Sequence, residues 1–212
     1  MPPVERFVCR FAAEPPQEGL PHGAWAQTLQ AEFLAACLRI DTEGEELGDA
    51  GDLRFFPDRT WNGRTYVPVT APTSTGLELY GYVSFVRGEY DPEDFEATAD
   101  FTAETAAANP EWRIDICEEV LGTWHGEGGR TADMTLVWGT PLIGGARIAT
   151  AELEGLAVDQ CPTAEDRFSL VAPDNFRGDY LDVKLWDADG RELASESLYV
   201  DDEDEDDGED AA

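Results

Sequence analysis

Tyr180-Leu-Asp-Val-Lys-Leu-Trp186 and Glu192-Leu-Ala-Ser-Glu-Ser-Leu-Tyr-Val200 are two strand-like runs joined through Asp187-Ala-Asp-Gly190. Asp and Gly in the link suit a tight turn, so the stretch predicts an antiparallel hairpin. Toward the N-terminus, further strands are expected near 166–171, 156–160, 146–153, 132–139 and 111–117. In the last of these Trp112, Ile114 and Ile116 alternate. Strands this short, punctuated by Gly and Pro, predict an antiparallel β-sandwich-like region over residues 109–200.

Residues 1–108 have a mixed character. Val4–Phe11 reads as a strand ended by a Pro-rich stretch. From Gly23 to Ile40, Trp25, Leu29, Phe33, Ala36, Cys37 and Ile40 recur at three- or four-residue steps, the apolar stripe of a helix. Leu53–Phe56 suits a short strand before the turn Asn62-Gly63, and 65–70 with 77–86 suits a hairpin around Pro72–Gly76. Pro68 cannot donate a ladder hydrogen bond, which places its strand at a sheet edge. Asp91-Pro92, followed by Glu93 and Asp94, has the form of a helix start running toward Ala108. The alternation of Phe95, Ala97, Ala99, Phe101 and Ala103 competes with that reading. The fold class expected is α+β: an N-terminal helix packed on strands, then the antiparallel region. A boundary at Asn109-Pro110 either separates two units or is a turn within one continuous domain.

Charge limits the partners. Against 46 Asp and Glu stand 14 Lys and Arg, a net charge of -32, and Lys184 is the only lysine. Direct nucleic-acid binding needs cations that displace counterions from phosphates, so it is not expected; a protein partner, a basic one among the candidates, is easier to accommodate, and the plain alternative is a solvated acidic surface with no partner. Scarce lysine with excess carboxylate also fits a salt-adapted protein. Nine of the carboxylates fall within Asp201–Asp210, predicting a disordered acidic tail over 201–212 and leaving -23 on residues 1–200. The N-terminus lacks a basic segment followed by an apolar one, and the longest apolar run is Phe33–Leu38. A cytoplasmic protein without a membrane span is therefore expected.

Among the motifs, Gly122-Thr-Trp-His-Gly-Glu-Gly-Gly129 stands out. His125-Gly-Glu127 matches half of a zinc deaminase signature, but the paired cysteines of the other half are absent, as Cys161 supplies one thiol in the wrong order. The octet resembles the Gly-Thr-Trp-x-Gly-x-Gly opening of nitrobindin-like and fatty-acid-binding-like barrels. Too little chain follows it for such a barrel to close, and the resemblance carries over no haem ligand. Cys117 with His125 offers a thiol and a base, although a thiol amid carboxylates is poorly activated. Cys9, Cys37, Cys117 and Cys161 contain no C-x-x-C pair, and none of the five serines sits in a nucleophile elbow. Asp187, Asp189 and Gly190 lack the spacing of a calcium loop. No cofactor or metal is expected.

The remaining lead is aromatic: Trp61, Tyr66, Tyr80 and Tyr82, with Phe55 and Phe56, gather around the central hairpin as a sheet core or a Tyr- and Trp-rich binding face. The sequence thus favours a noncatalytic acidic binding or accessory protein engaging a protein partner. Its alternatives are a hydrolase-like enzyme with a site near His125, Cys117 and Glu127, to which His22 could contribute, and a structural subunit of a larger assembly.

Overall fold

A computed structural model describes residues 13–14, 19–42, 44–126, 129–176 and 178–198. The strand expected over 4–11, the acidic tail, Cys9 and Glu127 lie outside the described residues. In chain order the elements are β1 (Ala13–Glu14), α1 (Gly23–Cys37), β2 (Arg54–Phe55), β3 (Arg59–Trp61), β4 (Arg64–Pro72), β5 (Glu78–Arg87), β6 (Pro92–Thr102) and β7 (Ile114–His125). There follow β8 (Thr131–Pro141), β9 (Ile148–Leu153), β10 (Leu156–Pro162), β11 (Phe168–Asp174), β12 (Asp182–Trp186) and β13 (Glu192–Ser197). The chain is mostly antiparallel β-sheet with one short helix. A first sheet runs β1-β3-β4-β5-β6 with β2 also on β4, a second runs β11-β8-β7, and a third runs β10-β9-β12-β13.

Alternation along the strands decides what meets what. In β4 and β5, Val67, Val69, Ala71, Leu79, Val83 and Phe85 share a core with Leu29 and Phe33 of α1. The residues between them, Tyr66, Tyr80 and Tyr82, turn to the opposite face and meet Met134, Leu136 and Trp138 of β8 and Val171 of β11. The second sheet divides in the same way: Val137, Phe168, Leu170 and Ala172 join Ala149, Ala151, Val183 and Leu185 of the third sheet. The layers are therefore helix, sheet, sheet, sheet. The helix has no side-chain cap at His22 and no acidic residue in its first turn, so packing holds it. Its Trp25 meets Phe85 edge-on at 5.1 Å, and buried Leu29 and Phe33 each contribute about 1.5–3 kcal/mol.

Two expectations need correction. The helix expected from Asp91-Pro92 is the strand β6, whose Phe95, Ala97, Ala99 and Phe101 pack on the helix-side core while β5 pairs along its length, with one register shift between Ser84 and Val86. Period 2 prevails over the cap signal because the alternate residues have a core to enter. Pro68 lies in β4, which is interior and not an edge. Its carbonyl accepts a hydrogen bond from the Phe56 amide at 3.0 Å, so its nitrogen faces the interval between β2 and β3, outside either strand. No ladder bond is lost there.

The turns follow from their residues. Asn62 and Gly63 take φ of 52° and 79°, the left-handed pair that a two-residue hairpin demands. At the β12–β13 turn the Asp187 carboxylate accepts hydrogen bonds from the amides of Asp189 (2.8 Å) and Arg191 (2.9 Å), which hold its pKa below the usual range. Between β5 and β6 the approach is tight: a Cβ on Gly81 would stand 2.3 Å from the Thr98 carbonyl oxygen. Gly81→Ala is expected to cost about 1–3 kcal/mol by prising the two strands apart. Urea unfolding checks this, and an unchanged midpoint would contradict so close a contact.

A buried ion pair joins the layers. Arg59 of β3 donates through Nη2 to Oδ2 of Asp159 in β10, and the same oxygen accepts from the Val171 amide of β11 at 2.9 Å. The two side chains are 0% and 1% exposed. Among the described residues, no helix is long and apolar enough to cross a membrane.

Candidate functional site

The edge strands β6 and β7 belong to different sheets, and the faces beneath them form a seam lined by the aromatic residues of β3, β4 and β5. Tyr66 is buried, with Tyr82 edge-on to it at 5.3 Å. Tyr80 lies 6.5 Å from Trp138. Trp61 rests on β7, where a Cβ on Gly122 would stand 3.1 Å from its ring. The structure thus brings Trp61, Tyr66, Tyr80 and Tyr82 together in one cluster, with Tyr66 enclosed and the other three half-buried.

Carboxylates rim the seam. Burial, and then the Asp100 carboxylate, push the Glu119 pKa above its usual range. Burial and Glu119 together push Tyr82 up to about 12, and burial with Asp100 raises Tyr80. Farther along β7, burial raises Asp115, and desolvation with the Asp174 carboxylate pushes Glu118 up to about 7. Asp100 and Glu119 have no ion pair among the described residues, unlike Glu96, which stands 3.4 Å from Arg64.

The residues weighed for catalysis are scattered. Cys117 lies on the seam face of β7, where burial and the neighbouring carboxylates Asp115, Glu78 and Glu118 push its thiol far above the usual value. His125 is the last residue of the same strand, opposite Thr131. Seven strand residues lie between it and Cys117, eight steps of ~3.3 Å or about 26 Å, so they do not meet. His22 precedes α1 and lines a different cleft, of about 430 Å³, together with Trp25 and the Asp58–Arg87 ion pair (2.9 Å). Burial pushes Cys37 up to about 11, and Cys161 is buried and likewise raised. Among the described residues, no three His, Cys, Asp or Glu side chains converge as metal ligands.

Sequence reasoning did not find Trp138 or the pairing of Asp100 with Glu119. The alternation of β6 carried the signal for Asp100, which shares a face with Glu96 and Thr98, but only the approach of β7 supplies Glu119. No protein-family model matches the chain, and the curated proteins and solved structures contain no significant match to it.

Proposed function

We propose that this chain is a noncatalytic acidic binding protein whose seam receives cationic side chains of a basic protein partner. One observation carries the reading: half-buried Tyr80 and Tyr82 stand beside Asp100 and Glu119, two carboxylates that repel each other with no cation in ion-pair reach among the described residues. A guanidinium or ammonium seated there gains an ion pair and a tyrosine face, the latter contributing about 0.5–2 kcal/mol, and removes the repulsion. In this reading the β-sandwich-like C-terminal region supplies one wall, the helix-backed first sheet supplies the other, and the wider acidic surface steers a basic partner while disfavouring nucleic acid. It is a cytoplasmic, salt-adapted module that uses no cofactor.

Binding of a nine-residue peptide containing Arg and Lys, followed by fluorescence anisotropy at 0.15 M salt, tests the seam. The Asp100→Asn/Glu119→Gln double variant should weaken binding by roughly tenfold or more, as loss of a specific charged contact does. Glu45→Gln/Glu46→Gln removes the same charge from an exposed loop and should change affinity less than about twofold. Equal losses in both variants would mean that only the diffuse field binds, and the seam reading would fail.

A further inference from the structure

A second cleft, of about 680 Å³, opens where β2 and the β4–β5 hairpin of the first sheet meet the end of β8 and the turn before β11. Its volume falls in the range of small-molecule sites, about 300–1,000 Å³. Two guanidiniums reach it in a chain that has only 14 cationic residues. Arg167 is fixed in place: Nη1 donates to the Phe55 carbonyl at 2.7 Å and Nη2 to the Glu165 carboxylate at 2.5 Å. Arg54 is exposed and forms no ion pair among the described residues, although carboxylates are abundant nearby. Burial first, and repulsion by Arg54 among the further causes, hold the Arg167 pKa below its usual value. On the first-sheet wall, beside Arg54 and Thr70, Glu78 is half-buried; burial and then the Asp115 carboxylate raise its pKa, while a hydrogen bond with the Thr70 side chain and the charge of Arg54 draw it back.

The cleft therefore carries both signs of charge side by side: Arg167 is paired with Glu165, and Arg54 forms no ion pair among the described residues. A simple anion entering it meets Asp52, Glu78, Glu165 and Asp166, and a simple cation meets Arg54 and Arg167. A ligand carrying both charges meets a counter-charge for each. We propose that this cleft binds a small zwitterion of the amino-acid class, its carboxylate at Arg54 and Arg167 and its ammonium at Glu78. The proposal is independent of the partner-binding reading, because Asp100, Glu119, Tyr80 and Tyr82 do not line the cleft.

Isothermal titration of the full chain with L-alanine, acetate and methylammonium at pH 7 and 0.15 M salt tests it. L-alanine should bind saturably with a millimolar dissociation constant, and the two half-ligands should bind at least about tenfold more weakly. Arg54→Gln and Glu78→Gln should each weaken L-alanine binding by about tenfold or more, with the thermal midpoint measured to show that the fold persists. Arg191→Gln, on the exposed β12–β13 turn, should leave binding unchanged. Absence of saturable L-alanine binding overturns the proposal, as does acetate binding equally well or full binding by the Glu78 variant, either of which would describe an anion site.

Discussion

Asp159→Ala is expected to lower the unfolding free energy by about 3–5 kcal/mol, because it strands the Arg59 guanidinium as an unpaired buried charge. Arg59 is completely enclosed, and its Nε and Nη1 have no hydrogen-bond partner among the described residues even in the intact pair. The Asp159 carboxylate is thus the side-chain acceptor that the Arg59 guanidinium loses. The Val171 amide would lose its acceptor as well, which adds a desolvation cost of about 1–3 kcal/mol if no water replaces it. Replacing both partners with apolar side chains, Arg59→Met with Asp159→Leu, should recover most of the loss, since removing two charges avoids burying one alone. Denaturant unfolding of the wild type, Arg59→Met, Asp159→Leu and the double variant closes a mutant cycle. If the double variant is as unstable as the sum of the singles, the pair is not coupled as its geometry requires.

Acidification from pH 8 to pH 5 should stabilise this protein, raising the thermal midpoint by about 5–10 °C, which corresponds to about 2–3 kcal/mol for a chain of this size. Glu78, Asp115, Glu118 and Glu119 all have folded-state pKa values raised chiefly by desolvation. The folded chain then binds more protons than the unfolded chain. Stability is full below the unfolded carboxyl values near 4 and is lost as pH rises through the folded values, up to about 7 for Glu118. Glu118 is exposed and screened by solvent, so the half-buried Glu78, Asp115 and Glu119 should supply more of the slope. Asp187 has the opposite sign, but its contribution disappears only below its unfolded value near 4, outside this window. Molar sodium chloride should raise the midpoint at pH 8 and narrow the gap to pH 5, because screening relieves the same repulsion among a net charge of -32. Scanning calorimetry at both pH values and two salt concentrations decides the matter. A midpoint that falls on acidification would refute the argument.

Much of the fold was legible wherever one periodicity had no competitor. The stripe through Leu29 and Phe33, the turns at Asn62-Gly63 and Asp187–Gly190, and the succession of strands after residue 111 all rest on local chemistry that the structure retains. At β6 the cap-like Asp91-Pro92 and the alanines around it are local preferences, overruled by a ladder and a core contributed from elsewhere in the chain. The candidate site was less legible. Alternation shows that Tyr80 and Tyr82 share a face, but not that β7 and β8 approach it, because contacts between sheets leave no pattern within a strand. Asp159 was invisible for a different reason: among 46 carboxylates, nothing in its neighbours marks the one that meets a buried arginine 100 residues away.

The stacking order also sets a timetable for synthesis. The last residue of the first sheet, Thr102, emerges three dozen residues ahead of Trp138, and Val171 follows later still. At about 5–20 residues per second, roughly 2–7 s pass before Trp138 is made. During that interval the nascent chain carries Phe56, Tyr66, Tyr80 and Tyr82 on a sheet face whose eventual cover is incomplete. The carboxylates of β6, already synthesised and flanking that face, with Asp100 opposite Tyr80, give it a negative charge that repels a second copy of itself.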